Sequence, residues 1–424
     1  MKNEYFLTIS FQKGMLIAMN SNISQKFAYE IVNGSAVIWR CFSRASKAVI
    51  PSELEGYPVA GIAPYVFSAH LDEKMLYGKK YISENKIFKL CSGWSETEDS
   101  TGTKHQSADT NAPKILYKGI DEIDTPQLCG NKLEEIVLPH TVKRVGRYCF
   151  YNCKNLHRIS FTDALIDWGS GTFTGCHQVQ ELEVVMYKEE KTTLKDVLVE
   201  LQEPLVVDYK CENGEKSYYA KLVFPEYYEE GVENTPARLI NLTIHGSGMR
   251  FRNCFQKRVF DFVEYDSRFP HAVFQEKFEI VGRMAEWRLR YPHELRDDHR
   301  EAYKEYLIGH RKEYGELLVD RRQTDSLIWF TEMLFSEEND ISNKIELSVR
   351  NDNISRIGTW KNRENNDMSS DDIHSSVSKA GWIDEIIDYA ARKQYQEAVS
   401  FLMDYRHRHK PVHAKKKRSF DFDL

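Results

Sequence analysis

The sequence predicts an α+β repeat protein, in which a β-solenoid with a hairpin cap is followed by an α-helical domain. Three observations support this prediction. One apolar pattern is stated three times between residues 133 and 184. Upstream, the dipeptide Asn33-Gly34 lies between two β-rich runs. Downstream of about residue 256, apolar residues recur near the spacing of an α-helix.

The repeat becomes visible when LEEIVLPHTVKRVGRYCFYNCKN is aligned with LHRISFTDALIDWGSGTFTGCHQ and with the start of a third copy, VQELEV. Phe150 recurs as Phe173, at a spacing of 23 residues. Alternating apolar residues such as Ile136 and Leu138 predict a short strand with one buried face. Because one unit cannot bury its apolar face alone, neighbouring copies must stack into a solenoid.

An earlier copy occupies residues 48–70. Ile50-Pro51 aligns with Leu138-Pro139, and Phe67 aligns with Phe150, with five extra residues between them in SELEGYPV. The unit length and the L-x-x-L-x-L opening are the leucine-rich repeat signature. The segments IPSELEGYPVAGIAPYVF, IVLPHTVKRVGRYCFYNC and ISFTDALIDWGSGTFTGC resemble BspA-like leucine-rich repeats of the Firmicutes type. This resemblance implies a right-handed solenoid with binding functions, and it implies no catalysis.

Composition narrows the functional classes. A length of 424 residues allows two or three domains, and 41% hydrophobic with 29% charged residues is typical of a globular protein. A net charge of −6 argues against a general nucleic-acid or membrane-surface binder. We find no apolar run long enough to span a membrane and no secretory signal pattern. We therefore expect a bacterial cytoplasmic protein whose eight cysteines are free thiols.

The segments around the repeats carry their own signals. Residues 1–47 predict an N-terminal β-hairpin cap, because FAYEIV and AVIWRCF flank Asn33-Gly34. Residues 48–184 hold the repeats, which a polar insertion at about 71–130 interrupts. Its stretch SGWSETEDSTGTKHQSADTNAP is predicted to be a mobile loop. In the block 185–255, PLVVDYK, SYYAKLVF and RLINLTI predict strands that cap and link the far end of the solenoid.

The helical segment 256–335 contains three predicted helices. FQEKFEIVGRMAEWRLRYP carries Phe274, Phe278 and Trp287 near helical spacing. DDHREAYKEYLIGHRKEYGELLVDRR is the second helix, which Asp297 or Asp298 is predicted to cap. SLIWFTEMLF is the third.

Residues 336–410 carry a second and weaker internal repeat. Ile341 recurs as Ile383 and Ile345 as Ile387, an offset of 42 residues. IDEIIDYAARKQYQEAVSFLMDYRHRH resembles the paired helices of ankyrin repeats, although it lacks their T-P-L-H turn. We therefore predict ankyrin-like helical hairpins in this region, followed at 411–424 by a tail that is basic and then acidic.

Three motifs suggest chemistry, and a structural interpretation is favoured for each. His407, His409 and His413 lie close in sequence but lack a carboxylate or cysteine partner at ligand spacing, so we predict no metal site. The basic run 415–418 favours a solvated tail over a nucleic-acid contact. His245-Gly246-Ser247-Gly248 is neither a G-x-S-x-G nor a Walker motif, which favours a tight connection. We predict no catalytic residues and no cofactor.

The functional prediction falls on the outward face of the repeat strands. Side chains alternate between the faces of a strand, so the neighbours of Ile136 and Leu138 point outward. Solenoids bind partners on such extended faces, where the outward side chains are not needed to pack the core. The predicted partner-binding residues are Glu135, Val137, Arg158, Ser160, Glu181 and Glu183.

Our leading hypothesis is a non-catalytic scaffold or adaptor that binds protein partners through this solenoid face, through the helical domain, or through both. An enzyme whose site lies between the 182–255 block and the helices is the alternative, and it would require a deep pocket with titratable groups. A third hypothesis is a regulatory subunit of a partner ATPase, because the sequence itself carries no phosphate loop. A nucleic-acid partner, a membrane and a small-molecule substrate are not expected.

Overall fold

In a computed structural model, the chain folds into two compact units. The first comprises Met1–Glu276 with Tyr291–Leu295, and the second comprises Lys277–Arg290 with Arg296–Leu424. The structure describes residues 25–83, 86–91, 116–187, 191–212, 214, 217–234, 239–348 and 379–409. The first unit holds the strands and the second is helical, so the predicted β-solenoid with additional C-terminal helices is confirmed.

All strands of the described residues lie in the first unit. In chain order they are β1 (Lys26–Val32), β2 (Ser35–Phe42), β3 (Lys47–Val49), β4 (Glu53–Leu54), β5 (Tyr57–Ile62), β6 (Lys80–Ser83), β7 (Lys86–Cys91), β8 (Leu116–Gly119), β9 (Glu135–Val137), β10 (Arg144–Val145), β11 (Arg158–Thr162), β12 (Asp167–Trp168), β13 (Glu181–Met186), β14 (Leu205–Glu212), β15 (Ser217–Phe224), β16 (Tyr228–Asn234), β17 (Leu239–His245), β18 (Phe255–Gln256) and β19 (Val259–Phe260).

Helices occur in both units. In chain order they are α1 (Leu194–Glu200), α2 (Gly248–Arg252), α3 (Phe262–Ser267), α4 (Phe269–Gln275), α5 (Phe278–Arg290), α6 (Asp297–Gly309), α7 (Arg311–Asp320), α8 (Thr324–Ser348), α9 (Lys379–Arg392) and α10 (Gln396–Arg408). Short 3-10 helices span Glu73–Leu76, Ile120–Glu122 and Gly130–Lys132.

A six-stranded sheet forms one wall of the solenoid. Its order is β15-β14-β13-β11-β9-β3, with all neighbours parallel except β14 and β15. Arg158 lies opposite Glu135 on one side and opposite Glu181 on the other, which reproduces the repeat spacing of the sequence. Ala48 lies opposite Ile136, so the copy at 48–70 is an adjacent turn of the same solenoid.

A second sheet forms another wall and contains the predicted hairpin cap. Its order is β12-β10-β5-β2-β1-β6-β7-β8, with β4 paired to β5 off this path. Asn33 and Gly34 have φ angles of 50° and 75°, the left-handed conformation that a tight hairpin turn requires. Val145 lies opposite Ile62, and the five extra residues of the first copy are taken up by the small β4–β5 hairpin.

The segment predicted to be an insertion, at about 71–130, contains three strands that sequence analysis missed. β6, β7 and β8 extend the second sheet beyond β1, and Tyr81 and Leu90 join Phe42 in a buried cluster. The polar stretch that was predicted to be a mobile loop, residues 92–113, lies outside the described residues. The strands seal the apolar surface of the hairpin cap, because Ala28 of β1 pairs with Tyr81.

Equivalent side chains of successive turns stack in ladders inside the solenoid. Phe150 stacks between Phe67 and Phe173, with ring centroids 5.6 and 5.7 Å away. The thiol of Cys153 donates to the carbonyl of Phe67 at 3.2 Å, and the thiol of Cys176 donates to that of Phe150 at 3.0 Å. All eight cysteines are free thiols, and these two are packing residues of the turns.

Side chains close both edges of the six-stranded sheet. At β3 the amide of Gln25 donates to the carbonyl of Lys47 at 2.5 Å and accepts from the N–H of Val49 at 2.9 Å. At β15 the hydroxyl of Tyr265 donates to the carbonyl of Val223 at 2.7 Å and accepts from its N–H at 3.0 Å. Each side chain thus satisfies backbone groups at one point of an edge that could otherwise pair with another chain.

In the helical unit, the second predicted helix is two helices. The chain breaks after Gly309 at His310, which has φ −110° and ψ 28°, and α6 gives way to α7. Arg296 is the N-cap residue of α6, so the prediction that Asp297 or Asp298 caps it was wrong. Both acids lie in the first turn instead, where their charge favours the helix dipole.

The first predicted helix of this region is also two helices. α4 ends at Gln275 and α5 begins at Phe278, so the predicted stripe is interrupted. Phe274 is 87% exposed and is not a core residue. α5 ends at Arg290, two residues before Pro292, as the sequence predicted.

Small residues allow close contacts between helices of the second unit. A Cβ atom on Gly282 would lie 2.5 Å from the ring of Tyr314, and one on Gly315 would lie 2.8 Å from Ile386. The indole of Trp382 in α9 donates to the carbonyl of Arg311 at 2.9 Å. α9 and α10 form a helical pair, while most of the first copy of the 42-residue repeat lies outside the described side chains.

Candidate binding surface

The outward residues of the six-stranded sheet form one continuous surface, which we call the outer strand face. Its inward counterparts are core residues: Ile136, Ile159 and Leu182 are at most 1% exposed. Because the strands pair copy to copy, equivalent outward side chains lie side by side along the solenoid. Contacts between neighbouring turns therefore determine the chemistry of this face.

The first row of the outer strand face alternates in charge. It reads Lys47, Glu135, Arg158 and Glu181 across four neighbouring strands. The ammonium of Lys47 lies 3.0 Å from the carboxylate of Glu135, and the guanidinium of Arg158 lies 2.8 Å from that of Glu181. These side chains are between 31% and 48% exposed, so each pair stays accessible to a partner.

The second row is centred on Glu183, whose side chain is only 20% exposed. Lys210 and Ser160 donate hydrogen bonds to its carboxylate, and Arg158 lies 4.0 Å away. Burial alone would raise the pKa of Glu183, but these hydrogen bonds and the two positive charges outweigh burial and hold that pKa below its usual value. Glu183 is therefore a charged and fixed element of the surface.

The far end of the second row is formed by β14 and β15. Asp208 accepts a hydrogen bond from the hydroxyl of Tyr219 and lies 3.5 Å from the ammonium of Lys221. The ring of Tyr219 meets Tyr291 edge-on at 4.5 Å. Burial, followed by the hydrogen bond and charge of Asp208, raises the pKa of Tyr219, so its hydroxyl stays protonated at neutral pH.

The structure brings all six predicted residues onto this one face. Glu181 is exposed, whereas Glu135, Val137 and Arg158 are half-buried. Ser160 is only 7% exposed, because its hydroxyl bonds to the Glu183 side chain that lies next to it. Sequence analysis missed the following members of the face: Lys47, Asp208, Lys210, Tyr219 and Lys221.

The charges of the outer strand face balance. Four cations are interleaved with four acids, namely Lys47, Arg158, Lys210 and Lys221 with Glu135, Glu181, Glu183 and Asp208. Exposed pairs of this kind contribute about 0–1 kcal/mol each to stability. Their arrangement in a fixed pattern is therefore better suited to selecting a complementary surface than to holding the fold together.

The glycine-serine motif at 245–248 is a structural connection, as the sequence favoured. The hydroxyl and the N–H of Ser247 both donate to Glu276, at 2.6 and 2.7 Å, and Ser247 is fully buried. His245 instead lies 3.0 Å from Glu230. A Cβ atom on Gly248 would approach the carbonyl of Pro225 to 2.2 Å, which explains the glycine.

Residue groups able to hold a metal ion were sought in the described part of the chain, and none was found there. His407 lies in α10 and His409 directly follows it, while His413 and the basic run 415–418 lie outside the described residues. Within that part, no helix is both long enough and apolar enough to cross a membrane.

Stacked turns, parallel strands in register and internal phenylalanine and cysteine ladders define a leucine-rich repeat solenoid. Residues 117–195 match the family model described as "BspA type Leucine rich repeat region (6 copies)". This match supports the leucine-rich repeat part of the resemblance. The matched segment begins in β8 and ends within α1, so it includes neither the copy at 48–70 nor the helical unit.

Among solved structures, the chain is similar to "Crystal structure of T. pallidum Leucine Rich Repeat protein (TpLRR)". The identity is 17%, the likeness covers 37% of this chain and 68% of that chain, and the TM-score is 0.16. With so low a TM-score, the likeness carries no argument about function. A comparison with curated proteins found no match.

Proposed function

We propose that this protein is a non-catalytic scaffold or adaptor whose outer strand face binds a protein partner in a bacterial cytoplasm. The observation that carries the proposal is the alternating charge ladder from Lys47 to Glu181, which is partly exposed and held in place by its own ion pairs. Leucine-rich repeats are general protein-interaction modules, and extended faces of solenoids suit this task.

The ladder would act through specificity. A partner surface with the opposite alternation would meet each charge with its counterpart, whereas a surface out of register would meet like charges. Because the side chains are already held by neighbours, little side-chain entropy is lost on binding. Glu135, Arg158, Glu181 and Glu183 are the residues to which we assign this role, with Val137 as the apolar contact between them.

The helical unit would supply a second docking element. We assign it to the paired helices α9 and α10, which we regard as ankyrin-like hairpins. One chain with two repeat-like elements can bridge two partners, which is the adaptor part of the proposal. This part is argued by analogy of fold.

A charge-swap variant tests the outer strand face. Arg158→Glu combined with Glu181→Arg keeps the ion pair between the two strands but reverses the pattern that a partner meets. We expect the tagged wild-type protein to recover a stoichiometric partner from its host cells, detected by mass spectrometry, and the swap variant to lose it. Glu305→Lys, at an exposed position of α6, is the control for a change of charge elsewhere.

Folding of the swap variant is verified by retained amide-exchange protection in β11 and β13. A lower melting temperature is expected, because a carboxylate at position 158 would lie beside Glu135 and Glu183. A partner that binds wild type and the swap variant equally would remove the outer strand face from the proposal. A partner lost from Glu305→Lys but kept by the swap variant would assign binding to the helical unit instead.

A further inference from the structure

Strands β16 and β17 form a two-stranded sheet of their own in the first unit. Seven residue pairs join them, from Tyr228 with His245 to Asn234 with Leu239. Tyr228 is 57% exposed and Ile244 is 47% exposed. A lone two-stranded hairpin is marginally stable in water, because it lacks a third strand or a helix to cover its apolar side chains.

The edges of this hairpin contrast with those of the six-stranded sheet. Gln25 and Tyr265 close the latter with side-chain hydrogen bonds. In the described part of the chain, β16 and β17 pair with each other and with no third strand. Such an edge presents a row of backbone donors and acceptors that another extended chain can pair with.

The hairpin is held firmly at its base. Tyr227 is 3% exposed, its N–H donates to the carbonyl of Gln202 at 3.1 Å, and its hydroxyl donates to that of Val199 at 3.1 Å. The fully buried guanidinium of Arg252 donates to the carbonyl of Pro225 and lies 5.0 Å from the Tyr227 ring centroid. The first residues of β16 are therefore presented from a fixed position.

Acidic residues predominate on β16. The segment 226–245 contains four glutamates, at 226, 229, 230 and 233, and one arginine, at 238, in the connection between the two strands. Glu226, Glu229 and Glu230 are exposed. The His245 ring lies 3.0 Å from the carboxylate of Glu230 and stacks on Tyr228, with ring centroids 4.5 Å apart. An incoming strand would meet an acidic edge with an aromatic residue at its start.

We propose that β16 binds a lysine- and arginine-rich extended segment of a partner protein, which adds to the hairpin as a third strand. Backbone hydrogen bonds would provide the affinity. Cross-strand pairs between its cations and the glutamate on the same face, Glu229 on one face or Glu230 on the other, would provide the selectivity. This site is distinct from the outer strand face, so the test of this proposal does not depend on the function proposed above.

The probe is a short fluorescent peptide of alternating lysine and valine, titrated into the full-length protein and followed by fluorescence anisotropy. A peptide of the same sequence that is N-methylated at every backbone nitrogen keeps the charge but cannot form the ladder, since it has no backbone N–H donor. We expect saturable binding of the first peptide and at least about tenfold weaker binding of the second. Amide exchange of residues 228–234 should slow when the first peptide is bound.

The matched variants change equal charge at two places in the same unit. Glu229→Lys with Glu230→Lys should weaken binding about tenfold or more, because attraction across the pairs becomes repulsion. Asp121→Lys with Glu122→Lys, at two other exposed acids, should leave binding within about twofold. Equal weakening by both variants, equal binding of both peptides, or unchanged exchange at 228–234 would each overturn the proposal.

Discussion

The phenylalanine ladder predicts that the turns of the solenoid are energetically coupled only to their immediate neighbours. Phe67, Phe150 and Phe173 stack in that order, with adjacent centroids 5.6 and 5.7 Å apart. A stacked aromatic pair contributes about 0.5–1.5 kcal/mol beyond its buried area. Replacement of Phe150 by leucine removes two pairs and replacement of Phe67 removes one pair within this ladder. We therefore expect Phe150→Leu to cost about 1–3 kcal/mol in pair energy and Phe67→Leu about half of that.

Double-mutant cycles separate this coupling from the loss of volume that each substitution also causes. The cycle of Phe67→Leu with Phe150→Leu should give an interaction energy of about 0.5–1.5 kcal/mol. The cycle of Phe67→Leu with Phe173→Leu, two turns apart, should be additive within about 0.5 kcal/mol. Both expectations follow from nearest-neighbour energetics of stacked repeats.

Native-state amide exchange in β9 and β11 is the assay, because it reads opening of the solenoid separately from the helical unit. The two cycles use the same kind of substitution at sites of equal burial, so each is the control for the other. An interaction energy between Phe67 and Phe173 as large as that between Phe67 and Phe150 would refute nearest-neighbour coupling. So would additivity in both cycles.

Three further predictions follow from the packing and the titrating groups. Gly169→Ala places a Cβ 2.3 Å from the backbone nitrogen of Arg147 and should destabilise by about 1–3 kcal/mol in urea unfolding, whereas Gly309→Ala meets nothing within 4 Å and should be neutral or stabilising. The folded-state pKa of Glu183 lies below its unfolded value. Its contribution to the free energy of unfolding is therefore present above the unfolded pKa and is lost as pH falls through the folded pKa. Glu183→Gln should make the free energy of unfolding less dependent on pH in that acidic range. Burial raises the pKa of Cys176 to about 12, so alkylation followed by mass spectrometry should label the half-buried Cys91 and Cys129 before Cys176.

The solenoid was predictable because its long-range pairing is encoded locally. Each residue of a turn pairs with its own copy in the next, so the alignment of Phe150 with Phe173 already contains the register of β11 on β9. The alternation of Ile136 and Leu138 likewise predicts which side chains face outward. The pairing of β1 with β2 was also encoded locally, by the turn residues Asn33 and Gly34.

The elements that were missed lack such a copy. β6, β7 and β8 are short, flank a polar stretch, and gain their stability by adding to β1 in the second sheet. The break at His310 was invisible because the apolar stripe from Tyr303 to Tyr314 continues through it: both residues are fully buried. An apolar stripe predicts which residues are buried. It does not predict whether one helix or two successive helices carry them.

The candidate face was predicted in outline and missed in detail. Alternation places Ser160 outward, but only the position of the Glu183 side chain explains why Ser160 is nearly inaccessible. Asp208 continues the second row opposite Glu183, and Lys210 lies two residues further along β14, opposite Val185. The spacing changes at this strand, since Glu181 pairs with Val206. A search for the same spacing therefore stops one strand too early.

Gln25 and Tyr265 lie at opposite edges of the six-stranded sheet, and their contacts do not involve the turns between those edges. A solenoid with open ends would elongate by head-to-tail polymerisation, because each end offers the surface that the other requires. Gln25 and Tyr265 act as terminators that do not depend on how many turns lie between them. Duplication or loss of an internal turn, by recombination at the repeat, could therefore lengthen or shorten the molecule while it stays a discrete particle. Such changes would give evolution a means to alter the reach of the binding face without creating a filament.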